Sequence, residues 1–244
     1  MKSIIIIGAS SGIGRSTARI FAQKGWRVIA TARRTDKLEE LRNEAPDRIT
    51  TASIDVTQND ADTRLLDLIK ENGGVDVVMN VAGIGKQNKG MDTSIETATS
   101  ETNSTGFMRI VSAAFRYFAD KGGGHIAVIS SIAGTKGLGS APAYSATKRM
   151  QNTYIDALDQ LARMRKLNIK FTDIRPGFVR TALLDDNHDY PLQMDVDKVA
   201  AEAVRAIEKQ KRVCVIDWRY RIVTALWSLA PRWLWVRLPV QTKD

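Results

Sequence analysis

A tyrosine and a lysine stand four residues apart in Tyr144-Ser-Ala-Thr-Lys148. In a helix, positions i and i+4 share one face, so the lysine ammonium can sit beside the phenol. A free phenol titrates at about 10 and needs a neighbouring cation before it exchanges protons readily at neutral pH. Such a pair suits proton transfer to or from an oxygen bound next to it. The spacing alone is common on solvated helix faces, so its meaning depends on the rest of the chain.

Two further groups of residues supply that context. Gly8-Ala-Ser-Ser-Gly12-Ile-Gly14 follows the apolar run Ser3 to Ile7 and opens an amphipathic stretch. Glycines permit a tight turn and close approach of a ligand, and a helix amino terminus offers free N–H groups to a pyrophosphate. The spacing Gly-x-x-x-Gly-x-Gly departs from the Gly-x-Gly-x-x-Gly dinucleotide fingerprint. At the end of the second apolar run, a NAD site usually has a carboxylate for the ribose 2′-hydroxyl. This chain has Thr31-Ala-Arg33-Arg34 there. Arginine forks suit a 2′-phosphate, so NADP(H) is favoured over NAD(H).

The elements that must position these residues are legible as alternating β-branched runs and amphipathic stretches. Strands are expected at Ser3 to Ile7, Arg27 to Thr31, Ile49 to Ile54, Val75 to Met79, His125 to Ser130, Ile169 to Ile174 and Val213 to Ile216. Helices are expected at about Ile13 to Gln23, Tyr144 to Met164 and Asp197 to Glu208. Right-handed crossovers then give an α/β fold: a Rossmann-like, doubly wound, seven-stranded parallel sheet in the order 3-2-1-4-5-6-7. Residues 1–216 form one domain in this reading, followed by a helical tail over 217–244.

Composition narrows the classes. The 244 residues, 43% hydrophobic and 26% charged, fit one large globular domain. With Cys214 alone, no internal disulfide can form, and the short apolar start is no signal peptide, so a cytoplasmic location is expected. His125 and His188 lack metal-ligand spacing. The net charge of +9 implies an anionic ligand or surface. Nucleic acid is disfavoured, because the basic residues are dispersed and no helix-turn-helix accompanies them.

Taken together, these motifs resemble the short-chain dehydrogenase/reductase family over residues 3–216. The resemblance rests on Gly8 to Gly14, Asp55, Asn80-Val-Ala-Gly83, Asn103, Ser130-Ser131-Ile-Ala-Gly134, Tyr144 to Lys148, and Arg175-Pro-Gly177 to Thr181. It implies an NAD(P)(H)-dependent oxidoreductase that reduces a carbonyl or oxidises the corresponding alcohol. It assigns Tyr144 as acid and base, Ser131 as the group that binds the reacting oxygen, and Lys148 as the cation that lowers the phenol and holds the nicotinamide ribose. Asn103 would support a proton-relay water. Cofactor contacts are expected from Gly8, Ser10, Ser11, Gly12, Ile13, Gly14, Arg33, Arg34, Asp55, Val56, Asn80, Ala82, Gly83, Tyr144, Lys148, Pro176, Gly177, Val179 and Thr181. Val81 stands where the family usually has asparagine, and Ile7 where threonine is frequent. The resemblance also implies a homodimer or homotetramer.

The substrate side is less specific. Leu183, Leu184, Tyr190, Leu192 and Met194, with Leu138 and Gly139, are candidate apolar walls. Four of the five tryptophans fall in the last 27 residues, mixed with Arg232 and Arg237. That composition suits packing on the domain or a partner, a lid over substrate, or peripheral contact with a bilayer interface. The leading reading is a reductase of small or medium carbonyl compounds. Alternatives are a 3-oxoacyl-carrier-protein reductase, a membrane-surface lipid or steroid carbonyl reductase, and a non-catalytic dinucleotide sensor.

Overall fold

The computed structural model describes residues 1–181, 190–238 and 240. Leu183, Leu184, His188 and Pro239 lie outside the described residues. Seven parallel strands, β1 (Ser3–Ile7), β2 (Arg27–Ala32), β3 (Ile49–Ser53), β4 (Val77–Asn80), β5 (Gly124–Ile129), β6 (Ile169–Arg175) and β7 (Val213–Val215), form one sheet. Their order is β3-β2-β1-β4-β5-β6-β7, as the sequence pattern predicts.

Strand residues are apolar on both sides because helices cover both sheet faces. Ile4, Ile6, Val28 and Met79 join one core with α1 (Gly12–Gln23), α2 (Thr35–Glu44) and α7 (Val196–Glu208). Ile5, Ile7, Ile29 and Val78 join the other with α3 (Ala61–Glu71), α5 (Phe107–Lys121) and α6 (Pro142–Met164). A helix α4 (Thr93–Ser100) runs into α5 through a π-helical turn at Glu101–Gly106. Beyond β7, the chain forms α8 (Trp218–Leu229) and the short α9 (Arg232–Trp235).

Most element boundaries shift from the sequence expectation by a residue or two, and two of the shifts have visible reasons. β4 starts at Val77 rather than Val75, because side chains take the Val75 backbone groups. Its N–H donates to Tyr117 Oη at 3.0 Å, and its carbonyl accepts from Lys121 Nζ at 2.6 Å. α6 starts at Pro142, whose missing N–H costs nothing in the first turn, so Tyr144 lies inside the helix.

Candidate active site

The carboxyl ends of β1, β2, β4, β5 and β6 open into a cavity of about 560 Å³. At its base, Gly8 has φ +96°, and a Cβ there would lie 2.7 Å from the Ala82 nitrogen. Only glycine lets the first and fourth strands come this close. A side chain at Gly14 would run into the Gly8 carbonyl. α1 begins at Gly12 with no side-chain cap from Ser11 and no acidic residue in its first turn. Its free N–H groups and positive dipole end are therefore available to an anion. Arg34 leans over the same loop, where its Nη2 donates to Ser10 Oγ at 3.0 Å and Ser11 Oγ at 2.8 Å. Arg33 is largely exposed and approaches Asp55 at 4.0 Å.

The opposite wall is built by β5 and α6. After β5, Ser131 caps the 3₁₀ turn Ile132–Gly134, accepting from the Ala133 N–H at 3.1 Å. Tyr144 and Lys148 sit one turn apart on α6, with Lys148 Nζ 5.7 Å from the Tyr144 ring centre. Desolvation pushes the Tyr144 phenol above its ordinary value of 10, while the Ser131 hydroxyl acts the other way. The expectation that Lys148 draws the phenol down is corrected here: loss of solvent is the larger effect. Burial also lowers Lys148, from 10.5 to about 8, with the Asp173 charge opposing it.

Asp173 belongs to a buried polar cluster behind this wall. It hydrogen-bonds Ser130 Oγ, accepts from Asn152 Nδ2 at 2.9 Å, and pairs with Arg175 at 2.6 Å. Asn103 lies fully buried in the π-helical turn. Its side chain accepts from the Ile84 N–H at 2.8 Å and donates to the Ile84 carbonyl at 2.7 Å, tying α4–α5 to the loop after β4. Gln151 joins Asn103 to the lysine: Lys148 Nζ donates to Gln151 Oε1 at 3.1 Å, and Gln151 Nε2 donates to the Asn103 carbonyl at 2.8 Å.

Comparison with known proteins then fixes the family. The profile described as short chain dehydrogenase matches residues 2–191. The chain belongs to the short-chain dehydrogenase family. An uncharacterized oxidoreductase from Mycobacterium tuberculosis is 33% identical over 242 residues, covering 95% of each chain. Another, from Myxococcus xanthus, is 31% identical over 237 residues, covering 94% of this chain and 93% of its own. Among solved structures, a short-chain dehydrogenase from Streptomyces avermitilis superposes with a TM-score of 0.80 at 26% identity, covering 92% of this chain and 91% of that one. An alcohol dehydrogenase from the archaeon Thermococcus sibiricus, complexed with 5-hydroxy-NADP, gives 0.77 at 25% identity, covering 88% and 95%. The chain is thus an oxidoreductase of a family that binds nicotinamide dinucleotides.

In this short-chain dehydrogenase the residues present fit such a cofactor, given the glycine cradle, the uncapped start of α1 and the arginine above it. The structure brings Gly8, Ser10, Ser11, Gly12, Ile13, Arg33, Arg34, Asp55, Val56, Ala82, Gly83, Ser131, Tyr144, Lys148, Pro176, Gly177, Val179 and Thr181 to one cavity. Three expected residues sit behind its wall. Gly14 packs against Gly8, Asn103 holds the Ile84 loop, and Asn80 ends β4 between Ile7 and Val128. Asn80 Oδ1 is buried without a hydrogen-bond partner.

On the substrate side, Leu138 and Tyr190 line the cavity, whereas Gly139 does not. Leu192 is turned out to solvent at 39% exposure, and Met194 is absorbed into the core beside Val179. Sequence reasoning missed Gln87 and Ser140 as lining residues, and Gln151 as the link from Lys148. Gln151 had a signal, since it lies three residues after Lys148 and so on the same helix face.

Proposed function

We propose that this enzyme is an NADP(H)-preferring reductase of apolar carbonyl compounds, with Tyr144 as the proton donor. The observation that carries the reading is the convergence of Tyr144, Ser131 and Lys148 on one wall of the cavity, with Lys148 Nζ 5.7 Å from the Tyr144 ring centre. The phenol carries its proton at neutral pH and can give it to a carbonyl oxygen, and a neighbouring ammonium offsets the cost of the tyrosinate that forms.

When bound, the nicotinamide cofactor supplies the hydride for the carbonyl carbon. Tyr144 Oη holds the proton for the carbonyl oxygen. Ser131 Oγ donates to that oxygen as negative charge develops on it. The Lys148 ammonium, 5.7 Å from the Tyr144 ring centre, would stabilise the tyrosinate left behind, and Gln151 and the Ile129 carbonyl fix its position at 3.1 Å each. The α1 amino terminus would bind the pyrophosphate, and Arg33 and Arg34 together suit a 2′-phosphate. The NADP analogue in the Thermococcus sibiricus relative agrees with this preference. Leu138, Phe178, Tyr190 and Trp227 exclude water and select apolar substrates.

Cys214, the lone cysteine, is buried and its thiol is raised by desolvation, which agrees with a structural residue in a reducing cytoplasm. Homo-oligomerisation, implied by the family, is part of this reading.

The test is NADPH consumption by the purified protein against aldehydes, apolar ketones, steroid ketones and 3-oxoacyl thioesters, with NADH in parallel. Turnover of apolar ketones with NADPH supports the reading. Turnover confined to 3-oxoacyl thioesters would move the enzyme to acyl-chain reduction, and binding of NADPH with no turnover would leave a sensor.

A further inference from the structure

α8 is apolar around most of its circumference. Its inner face closes the catalytic cavity: Tyr220 packs on Gly177 and accepts from the Phe178 N–H at 3.2 Å, and Trp227 lines the cavity. α9 adds Trp235, which donates to the Gly137 carbonyl at 2.7 Å and meets Trp227 edge-on at 5.3 Å between ring centres. Lys136 Nζ donates to the Ala230 carbonyl at 2.8 Å. The tail is thus fixed to the loops after β5 and β6, and both of its faces have a fixed direction.

The outer face is bare. Trp218, Ile222, Leu226 and Leu229 recur at helical spacing with exposures of 66%, 51%, 62% and 80%. Trp233 and Val236 extend the patch at 62% and 69%. A helix apolar on both faces is ordinarily covered on both, and a contiguous exposed patch of this kind marks an interaction surface. From residue 218 to residue 238 there are four arginines and no aspartate or glutamate. Arg219 is neutralised by Asp217 at 2.6 Å, but Arg221, Arg232 and Arg237 remain exposed around the patch. Arg237 stacks over the Trp233 ring at 5.9 Å.

We infer that this face docks on an anionic lipid bilayer as a peripheral anchor. Tryptophans at its edge match head-group depth, aliphatic side chains match the acyl boundary, and the arginines match lipid phosphate. A second copy of the chain fits less well, since a two-fold contact would bring arginines to arginines with no carboxylate between them. No helix among the described residues is long and apolar enough to cross a membrane, so the contact is in-plane.

The experiment is co-sedimentation of the full chain with phosphatidylglycerol-containing vesicles and with pure phosphatidylcholine vesicles, with no substrate present. It is repeated for Trp218→Ser/Trp233→Ser and for Arg232→Glu/Arg237→Glu. The expected result is binding to anionic vesicles that falls about tenfold or more in each double variant. NADPH binding serves as the folding control and stays intact. Equal binding by wild type and both variants, or none by wild type, overturns the inference. So does concentration-dependent self-association that the Trp218/Trp233 variant abolishes, which would assign the face to a second copy. Because no turnover is read, failure here is distinct from failure of the reductase reading.

Discussion

Gln151 connects Lys148 to Asn103 through a single buried amide. Its Oε1 accepts from the lysine at 3.1 Å, and its Nε2 donates to the Asn103 carbonyl at 2.8 Å. A neutral acceptor on an ammonium favours the charged form, so Gln151 works against the burial that lowers Lys148 to about 8. Gln151→Leu is expected to slow reduction by about tenfold, the cost of one lost hydrogen bond to a charged group, and to move the alkaline limb of kcat to lower pH. Gln151→Glu should move the limb to higher pH. Opposite shifts in the two variants identify a positioning role that simple loss of packing does not produce.

In the wild type, the same lysine sets the limb itself. Below about 8 the ammonium is present beside Tyr144; above it the charge is lost. Reductase activity should therefore hold through neutral pH and decline above about 8, as read from kcat with saturating NADPH. A rate that keeps rising past that point would separate Lys148 from proton transfer.

Cofactor choice is expected to rest on Arg34. Arg34→Ala removes the guanidinium above Ser10 and Ser11, and NADPH affinity should fall about tenfold to hundredfold while NADH affinity changes little. Fluorescence titration of both reduced cofactors reads the ratio.

His125 predicts an acid limit to stability. It is buried in β5 with Nε2 2.8 Å from Thr172 Oγ1, and desolvation lowers it from 6.5 to about 4. The unfolded chain binds this proton first, so its contribution is complete above 6.5 and is lost as pH falls toward 4. The loss is on the order of 3 kcal/mol. In His125→Gln the urea midpoint should depend less on pH in that window.

The buried carboxylate of Asp173 is paired with Arg175 at 2.6 Å, and Arg175→Met should destabilise the fold by about 3 kcal/mol. Thermal or urea unfolding measures this directly.

Much of the fold was legible because each strand is a short β-branched run bounded by a turn or helix, and the sheet order followed from the crossover rule. The cavity residues were legible where a motif carries them on a strand end or on α6. Less visible were features set by side chains from distant elements. Tyr117 and Lys121 delay β4, Asn80 is pulled into the sheet, and Met194 enters the core beside Val179 rather than the cavity. Desolvation of Tyr144 is also a property of the assembled walls and cannot be read from the spacing to Lys148.

The proposed reaction depends above all on Tyr144 as the group that delivers the proton. The direct measurement is single-turnover oxidation of bound NADPH by an accepted ketone in wild type and Tyr144→Phe, with NADPH affinity determined for both. NADPH affinity should be near-equal in the two proteins, and the rate should be lower by about a hundredfold or more in the variant. A Tyr144→Phe enzyme that binds NADPH and reduces the ketone at the wild-type rate would contradict it.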